Sequence, residues 1–384
     1  MKTYLTVGAA LMLTTTAAQA GGIDRAGNAY AALFEQGNYA ELSFSTVRPD
    51  VSGDYPAAFG GGSTDDMAGD YTTAGLALKY ALSDQFAVGV FVNTPYGADA
   101  NYPAGAYTGL SAQWTSDQIA VVLKYQATPN ISVYGGVRSV ESSARIAIPD
   151  ALIRGGLAAS GSPQGAALAA GAPAGTLAYT AQADADRQTG YILGAAYERP
   201  DIALRVALTY ESGLTHKFAT TESIAAVPAL SGDSETEIEM PQAVTLDFQS
   251  GVAADTLVFG SIRWSEWSVW EVRPANYNTL TGDRVTGIDN DVFTYRLGVG
   301  RRINEDLSVF ARVTYEAGNG DVASRLAPTD GTTSIGIGGT YTMDNIKITG
   351  GVEYAFLGDA TDASGVEFSG NTALGVGLSV GYRF

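Results

Sequence analysis

Along most of the chain, apolar residues alternate with small or polar ones in a period of two. The last segment shows it best. Leu374, Val376, Leu378, Val380, Tyr382 and Phe384 fall on one face, and Ala373, Gly375, Gly377, Ser379, Gly381 and Arg383 on the other. The same dyad sets Phe86, Val88, Val90 and Val92 against Ala87, Gly89, Phe91 and Asn93. It sets Ile202, Leu204, Val206, Leu208 and Tyr210 against Ala203, Arg205, Ala207, Thr209 and Glu211. A period of two predicts strands. Strands of about 10 residues with one continuous apolar face suit a tilted crossing of a bilayer. Arg or Lys facing lipid at mid-depth costs about 2–4 kcal/mol, so the polar sets are expected to point inward. A soluble sandwich would need a second apolar layer to pack against, and the pattern supplies none.

The connections alternate as well. Six short turns, near 83–84, 129–130, 200–201, 254–255, 304–305 and 344–345, separate strands that are otherwise joined by seven longer connections. The longer ones fall near 52–69, 95–115, 147–178, 219–240, 268–290, 317–331 and 358–370. This strict rhythm predicts an all-β fold: a fourteen-stranded antiparallel transmembrane β-barrel with tight periplasmic turns, long extracellular loops and both termini on the short-turn side. Phe384, closing the last strand, reads as the handle for the barrel assembly machinery. At the other end Met1-Lys2, the apolar run from Tyr4 to Leu13 and Ala18-Gln19-Ala20 read as a secretory signal peptide over 1–20.

Composition narrows the chemistry. The absence of cysteine excludes disulfide scaffolds, thiolate metal sites and Cys nucleophiles. A net charge of −18 argues against nucleic acid as a partner. It suits an outer membrane, where divalent cations bridge acidic loops to lipopolysaccharide. No long apolar run follows Ala20, so no membrane-spanning helix is expected. His216 is the lone histidine, and no nucleophile elbow or phosphate loop is present, so no enzyme, metal or cofactor is expected. The inward faces carry Arg138, Arg205, Arg263, Arg296 and Arg312 beside Asp184, Asp186, Glu211, Asp247, Glu316 and Glu353. These are expected to pair across the lumen, and one guanidinium among them is a candidate for a carboxylate ligand. Glu235, Glu237 and Glu239 with Asp233 read as a solvated acidic loop.

Three stretches carry a resemblance. One is Met240-Pro241-Gln242-Ala243-Val244 leading, after a hairpin, to Arg263-Trp264-Ser265-Glu266-Trp267-Ser268. Another is Phe368-Ser369-Gly370-Asn371-Thr372-Ala373 running into Gly381-Tyr382-Arg383-Phe384, and the third is Gly27-Asn28-Ala29 followed by Phe34 to Glu41. In this order they resemble the FadL/TodX (OMPP1) family of outer-membrane transporters of long-chain fatty acids and hydrophobic compounds. The resemblance covers essentially the whole mature chain. It implies an N-terminal hatch, here 21–37, inside a barrel over 38–384. It also implies loop capture of substrate, an apolar pocket in the lumen and passive lateral exit through the barrel wall. Long-chain fatty acids are the first expected cargo, with aromatic hydrocarbons or a general diffusion porin as alternatives. The chain departs from the family in one place. It has no Asn-Pro-Ala in the hatch, and Asn38-Tyr39-Ala40 stands near that position without the proline.

Candidate site residues follow. The Ala-, Gly- and Leu-rich segment after Asp150 is expected to form short amphipathic helices that present Leu152, Ile153, Leu157, Leu168 and Leu177 as a catch site. Trp267 shares its inward parity with Arg263 and Ser265 and is placed at the substrate mouth, with Phe91 further down the lumen. Arg263 is the candidate partner for a fatty-acid carboxylate. Asn93 and Pro95 are the candidate lateral gate, because proline cannot donate a ladder hydrogen bond. The expected partners are the hydrophobic cargo, outer-membrane lipid and lipopolysaccharide, and the assembly machinery through Phe384. The chain is read as a monomer.

Overall fold

The dyad pattern closes into an antiparallel barrel of fourteen strands. The computed structural model describes residues 23–25 and 30–384, so the expected signal segment lies outside the described residues. The strands are β1 (Tyr39–Asp50), β2 (Tyr71–Ala81), β3 (Phe86–Asn93, resuming at Gly97–Asn101), β4 (Ser111–Gln126), β5 (Ile131–Ile148) and β6 (Tyr179–Arg199). They continue with β7 (Leu204–Glu211, resuming at Leu214–Ile224), β8 (Gly232–Met240, resuming at Ala243–Ala253), β9 (Thr256–Ser265) and β10 (Val292–Arg302). The last are β11 (Leu307–Glu316), β12 (Thr332–Met343), β13 (Ile346–Leu357) and β14 (Thr372–Arg383). Each pairs with its sequence neighbour, and β1 closes on β14 from Tyr39↔Arg383 to Asp50↔Thr372. Closure leaves no free sheet edge in lipid.

The faces sort as the pattern requires. Leu374, Val376, Leu378, Val380, Tyr382 and Phe384 are 41–54% exposed on the outside, whereas Ala373 and Ser379 are buried. Asp255 and Asp344 adopt left-handed backbone (φ 57° and 51°) in two of the tight turns, a conformation that a short polar side chain tolerates.

The structure corrects the sequence reading at the upper ends of the strands. The expected connection 219–240 is mostly strand and 95–115 is nearly half strand, because β3, β4, β7 and β8 run further than the alternation of apolar residues marks them. Glu235, Glu237 and Glu239 therefore lie on β8 rather than in a loop, and Lys217 of β7 pairs with Glu237 at 2.5 Å. Above the lipid the outward face no longer has to be apolar, so polarity alone hides the strand. Ile202 belongs to the turn Pro200–Ile202, and strand resumes at Leu204. Asp184 is exposed rather than inward, beside a register shift between β5 and β6 that resets the parity.

The lumen is layered. At its extracellular end the walls and loops meet in one large apolar core. Below it lies a belt of ion pairs that includes Arg312 with Glu353 and Arg263 with Glu211. Lower still, the N-terminal turn Tyr30–Phe34 packs inside the barrel against inward side chains of the wall. Leu33 is fully buried there, Tyr30 meets Phe91 edge-to-face at 5.1 Å, and Phe34 meets Tyr134 at 6.0 Å. Glu35 fastens this turn to the wall through Lys347 (2.5 Å) and Arg383 (2.8 Å).

Candidate substrate path

The roof of the path comes from the long loops. After β5 the chain forms helices α1 (Asp150–Ala159) and α2 (Pro163–Gly171). Asp150 closes the segment, since its carboxylate accepts from the backbone N–H of Leu177 at 2.8 Å and from Arg154 at 2.9 Å. Ile153, Leu157 and Leu177 are buried, and Leu152 and Leu168 pack against the same core. The five expected contact residues are thus brought together, as the underside of a roof rather than an open surface. A third helix, α3 (Ala275–Thr281), is pinned by Glu222 of β7, which accepts from the N–H groups of Asn276 (3.0 Å) and Tyr277 (2.8 Å). A carboxylate at a helix N-terminus satisfies donors that the helix itself cannot.

Beneath the roof the core is aromatic. Trp267 is fully buried, meeting Trp270 at 6.3 Å and Tyr96 at 5.9 Å. Trp114 continues the cluster to Trp270 (6.3 Å) and His216 (6.2 Å). Arg263 stands at the floor. It donates to Glu211 at 3.0 Å and lies 3.9 Å from Asp24, whose other oxygen accepts from the Trp267 indole at 3.3 Å. Glu211 also accepts from Tyr30 at 3.1 Å and faces Arg138 at 3.8 Å.

The wall opens beside this floor. The β2–β3 ladder ends at Leu76↔Val92 and resumes only where the Gly69 N–H donates to Asp99 at 3.0 Å. Asn93 to Ala98 therefore lacks a ladder with β2. On the other side β3 stays attached to β4, with one extra residue between Asn93↔Gln118 and Gly97↔Thr115. Pro95 sits in that bulge. The freed backbone bends inward to the N-terminal segment instead. Arg25 N–H donates to the Pro95 carbonyl and Gly97 N–H to the Ile23 carbonyl, both at 2.8 Å. Arg25 also lies 3.5 Å over the ring of Tyr71 on β2, spanning the gap. On the lipid side Phe44, Leu76 and Val92 are exposed around its lower end.

The chain matches, over residues 5–384, the family described as outer membrane protein transport protein (OMPP1/FadL/TodX). It belongs to that family. The FadL/TodX protein described here is an outer-membrane barrel that transports hydrophobic compounds, and it is not an enzyme. Solved structures with the same fold include a Pseudomonas aeruginosa FadL homologue (15% identity, 93% of each chain covered, TM-score 0.71). The Pseudomonas putida toluene transporter TodX is similar too (16% identity, 93% of this chain and 92% of that one, TM-score 0.67). So is the Ralstonia pickettii toluene transporter TbuX (14% identity, 95% and 96%, TM-score 0.60). No protein of curated function matches the chain. At these identities the likenesses carry the fold alone.

Within this FadL/TodX barrel, three site residues escaped the sequence reading. Trp114 and His216 join the aromatic core, and Asp24 joins Arg263 to Trp267. His216 carried no local signal as a lone histidine, yet its Nδ1 lies 2.8 Å from Asp186. The Trp114 and Trp270 indole nitrogens and His216 Nε2 are buried without a hydrogen-bond partner among the described residues. Trp114 could have been found by parity, since it lies on the inward face of β4 with Ser116 and Gln118.

Proposed function

We propose that the protein captures hydrophobic compounds, long-chain fatty acids first among them, beneath the α1–α2 roof and releases them sideways into the outer leaflet through the β2–β3 gap. One observation carries this reading: the apolar core runs down to Tyr96, at the gap, and is followed by the ion-pair belt. A greasy cargo keeps about 25 cal/mol for every Å² held out of water. It loses that in the charged belt and keeps it at an opening whose outer rim is Phe44, Leu76 and Val92. Arg263 at the floor favours a carboxylate head group. The aromatic cluster around Trp270 favours a second reading, a flat uncharged aromatic that needs no cation. A diffusion porin fits less well, because Tyr30–Phe34 stands across the lumen.

The division into a leader over 1–20, a hatch over 21–37 and a barrel over 38–384 belongs to the same proposal. So do contact of Glu235, Glu237 and Glu239 with lipopolysaccharide through divalent cations, delivery to the assembly machinery by Phe384, and a monomeric state. The test is uptake of oleate and of toluene by cells with and without the gene. Deletion is expected to lower uptake of at least one. Pro95→Ala, which restores a ladder donor, is expected to lower it several-fold at unchanged protein level. If deletion leaves both uptakes unchanged, the transport route proposed here fails.

A further inference from the structure

The aromatic core buries three polar ring atoms that nothing in the protein answers. They are the indole nitrogens of Trp114 and Trp270 and Nε2 of His216, on residues that keep 5%, 6% and 0% exposure. None has a hydrogen-bond partner among the described residues. Their rings lie together, since Trp114 meets His216 at 6.2 Å and Trp270 at 6.3 Å. Buried polar groups are ordinarily paired, and an unpaired one costs stability. Three in one cluster point to a group that is brought to them.

The other nitrogen of His216 decides what that group must offer. Nδ1 lies 2.8 Å from Asp186, which also accepts from Gln188 at 2.9 Å and from the Lys217 backbone N–H at 3.2 Å. A carboxylate that gathers these donors is ionised and can only accept, so Nδ1 carries the proton and Nε2 of the neutral ring is a bare acceptor. The two ring nitrogens point away from each other. With Nδ1 turned to β6, Nε2 is directed into the core, and Phe218 stacks on the ring at 5.0 Å and holds its plane. The wall beside it has give. Asp186 and His216 lie where the β6–β7 ladder is broken, between Ala183↔Thr220 and Ile192↔Glu211. Side chains here can shift without unpicking a strand pair.

We infer that His216, Trp114 and Trp270 form a seat for the hydroxyl of a hydroxylated aromatic, of which phenol is the simplest. The inference rests on the reading that flat aromatic cargo reaches the cluster around Trp270. A hydroxyl answers both kinds of orphan at once: its O–H donates to Nε2, and its lone pairs accept from the indole N–H groups. The ring that carries it packs edge-to-face among the indoles, as these rings pack with one another. A methoxy oxygen accepts but leaves Nε2 bare, and a hydrocarbon answers neither. A carboxylate brings no proton for Nε2 and sets its charge against that lone pair. A site that hydrogen-bonds a hydroxyl discriminates against the analogue that lacks it, because the buried groups are then left unpaired.

The chain has one histidine, so isotope-labelled histidine gives a single imidazole spectrum. The test uses the mature protein in lipid nanodiscs at about pH 8, where the imidazole is neutral. Nε2 is expected to resonate as a bare nitrogen, to shift when phenol is added, and to stay in place with toluene. Phenol is expected to bind about tenfold tighter than anisole or toluene, which share its ring. His216→Phe, which keeps a ring and removes the acceptor, is expected to bring phenol down to the affinity of anisole. The seat is overturned if phenol leaves Nε2 unmoved, if toluene moves it equally, or if phenol binds the variant as tightly as wild type. Deletion cells separate the two readings. Lost toluene uptake with an unmoved Nε2 overturns the seat and leaves transport standing, whereas unchanged oleate and toluene uptake removes the reading beneath it.

Discussion

Gly89 is a point at which hatch and wall are closely packed. A Cβ at this position would lie 2.7 Å from both Leu33 Cδ2 and the Phe91 ring. Leu33 has nowhere to retreat, because it is fully buried among inward side chains of the barrel. Gly89→Val is therefore expected to push Tyr30–Phe34 out of place and to cost about 1–3 kcal/mol, the usual range for overpacking. Gly350 is the control, because a Cβ there meets nothing closer than 3.9 Å. Thermal unfolding of the two variants checks this; equal midpoints would show that the hatch does not bear on the wall at position 89. At this scale the sequence was legible wherever period two applied. Ala87, Gly89, Phe91 and Asn93 all point inward as the alternation requires. Asp24 was not legible. Its indole partner lies 243 positions away, and no local pattern marks a residue whose surroundings exist only after the barrel closes.

At the scale of elements, turns were easier to read than strand ends. Tight turns announce themselves by Asp, Asn and Pro, and all six fall where the sequence placed them. Strand tops do not, because the apolar face that marks a strand ends with the lipid. Pro95 was readable as a break, since its chemistry is local. That the break would be taken up by Ile23–Arg25 was not readable. The roof depends on Asp150, and this gives it a pH dependence. Hydrogen bonds from Arg154, first among the causes, hold the Asp150 carboxyl below its ordinary value of 3.8. A group with a depressed pKa in the folded state lends stability that is full above its ordinary value and fades as pH falls through the lowered one. The Leu177 amide, which donates to Asp150 at 2.8 Å, is therefore expected to keep its protection from pH 7 to about 5 and to lose it only below about pH 4. Asp150→Ala should show the acid behaviour at neutral pH. Protection that declines steadily between pH 7 and 5 would point to some other group as the clasp.

For the whole molecule, the order of the layers matters more than any single pair. An apolar core lies over an ion-pair belt, the belt over a hatch, and the hatch is fastened by Glu35 to Lys347 and Arg383 near the tight turns. A general pore needs a continuous wet path, and each of these layers interrupts it differently. The core excludes ions because nothing there solvates them. Two pairs in the belt are matched, Arg312 to Glu353 and Arg263 to Glu211, which removes those charges from any ladder that ions could follow, whereas Arg205, Arg296, Asp247 and Glu316 form no ion pair among the described residues. The hatch turn Tyr30–Phe34 packs against the inward side chains below the belt. A discontinuity in the ladder opens to the side between β2 and β3, toward lipid that conducts nothing, and a second break in the ladder lies between β6 and β7, from Ala183↔Thr220 to Ile192↔Glu211. Purified protein in a planar bilayer is therefore expected to be nearly silent. A variant lacking residues 21–37, which removes the hatch and its Glu35 anchor, is expected to pass steady currents if the barrel still assembles, which heat-modifiable gel migration reports independently. Large currents from the intact chain would mean that the layers leak and that the porin reading is the better one. Silence that persists in an assembled hatchless barrel would place the block in the core and belt instead, and would leave the hatch as a support for the gap rather than a plug.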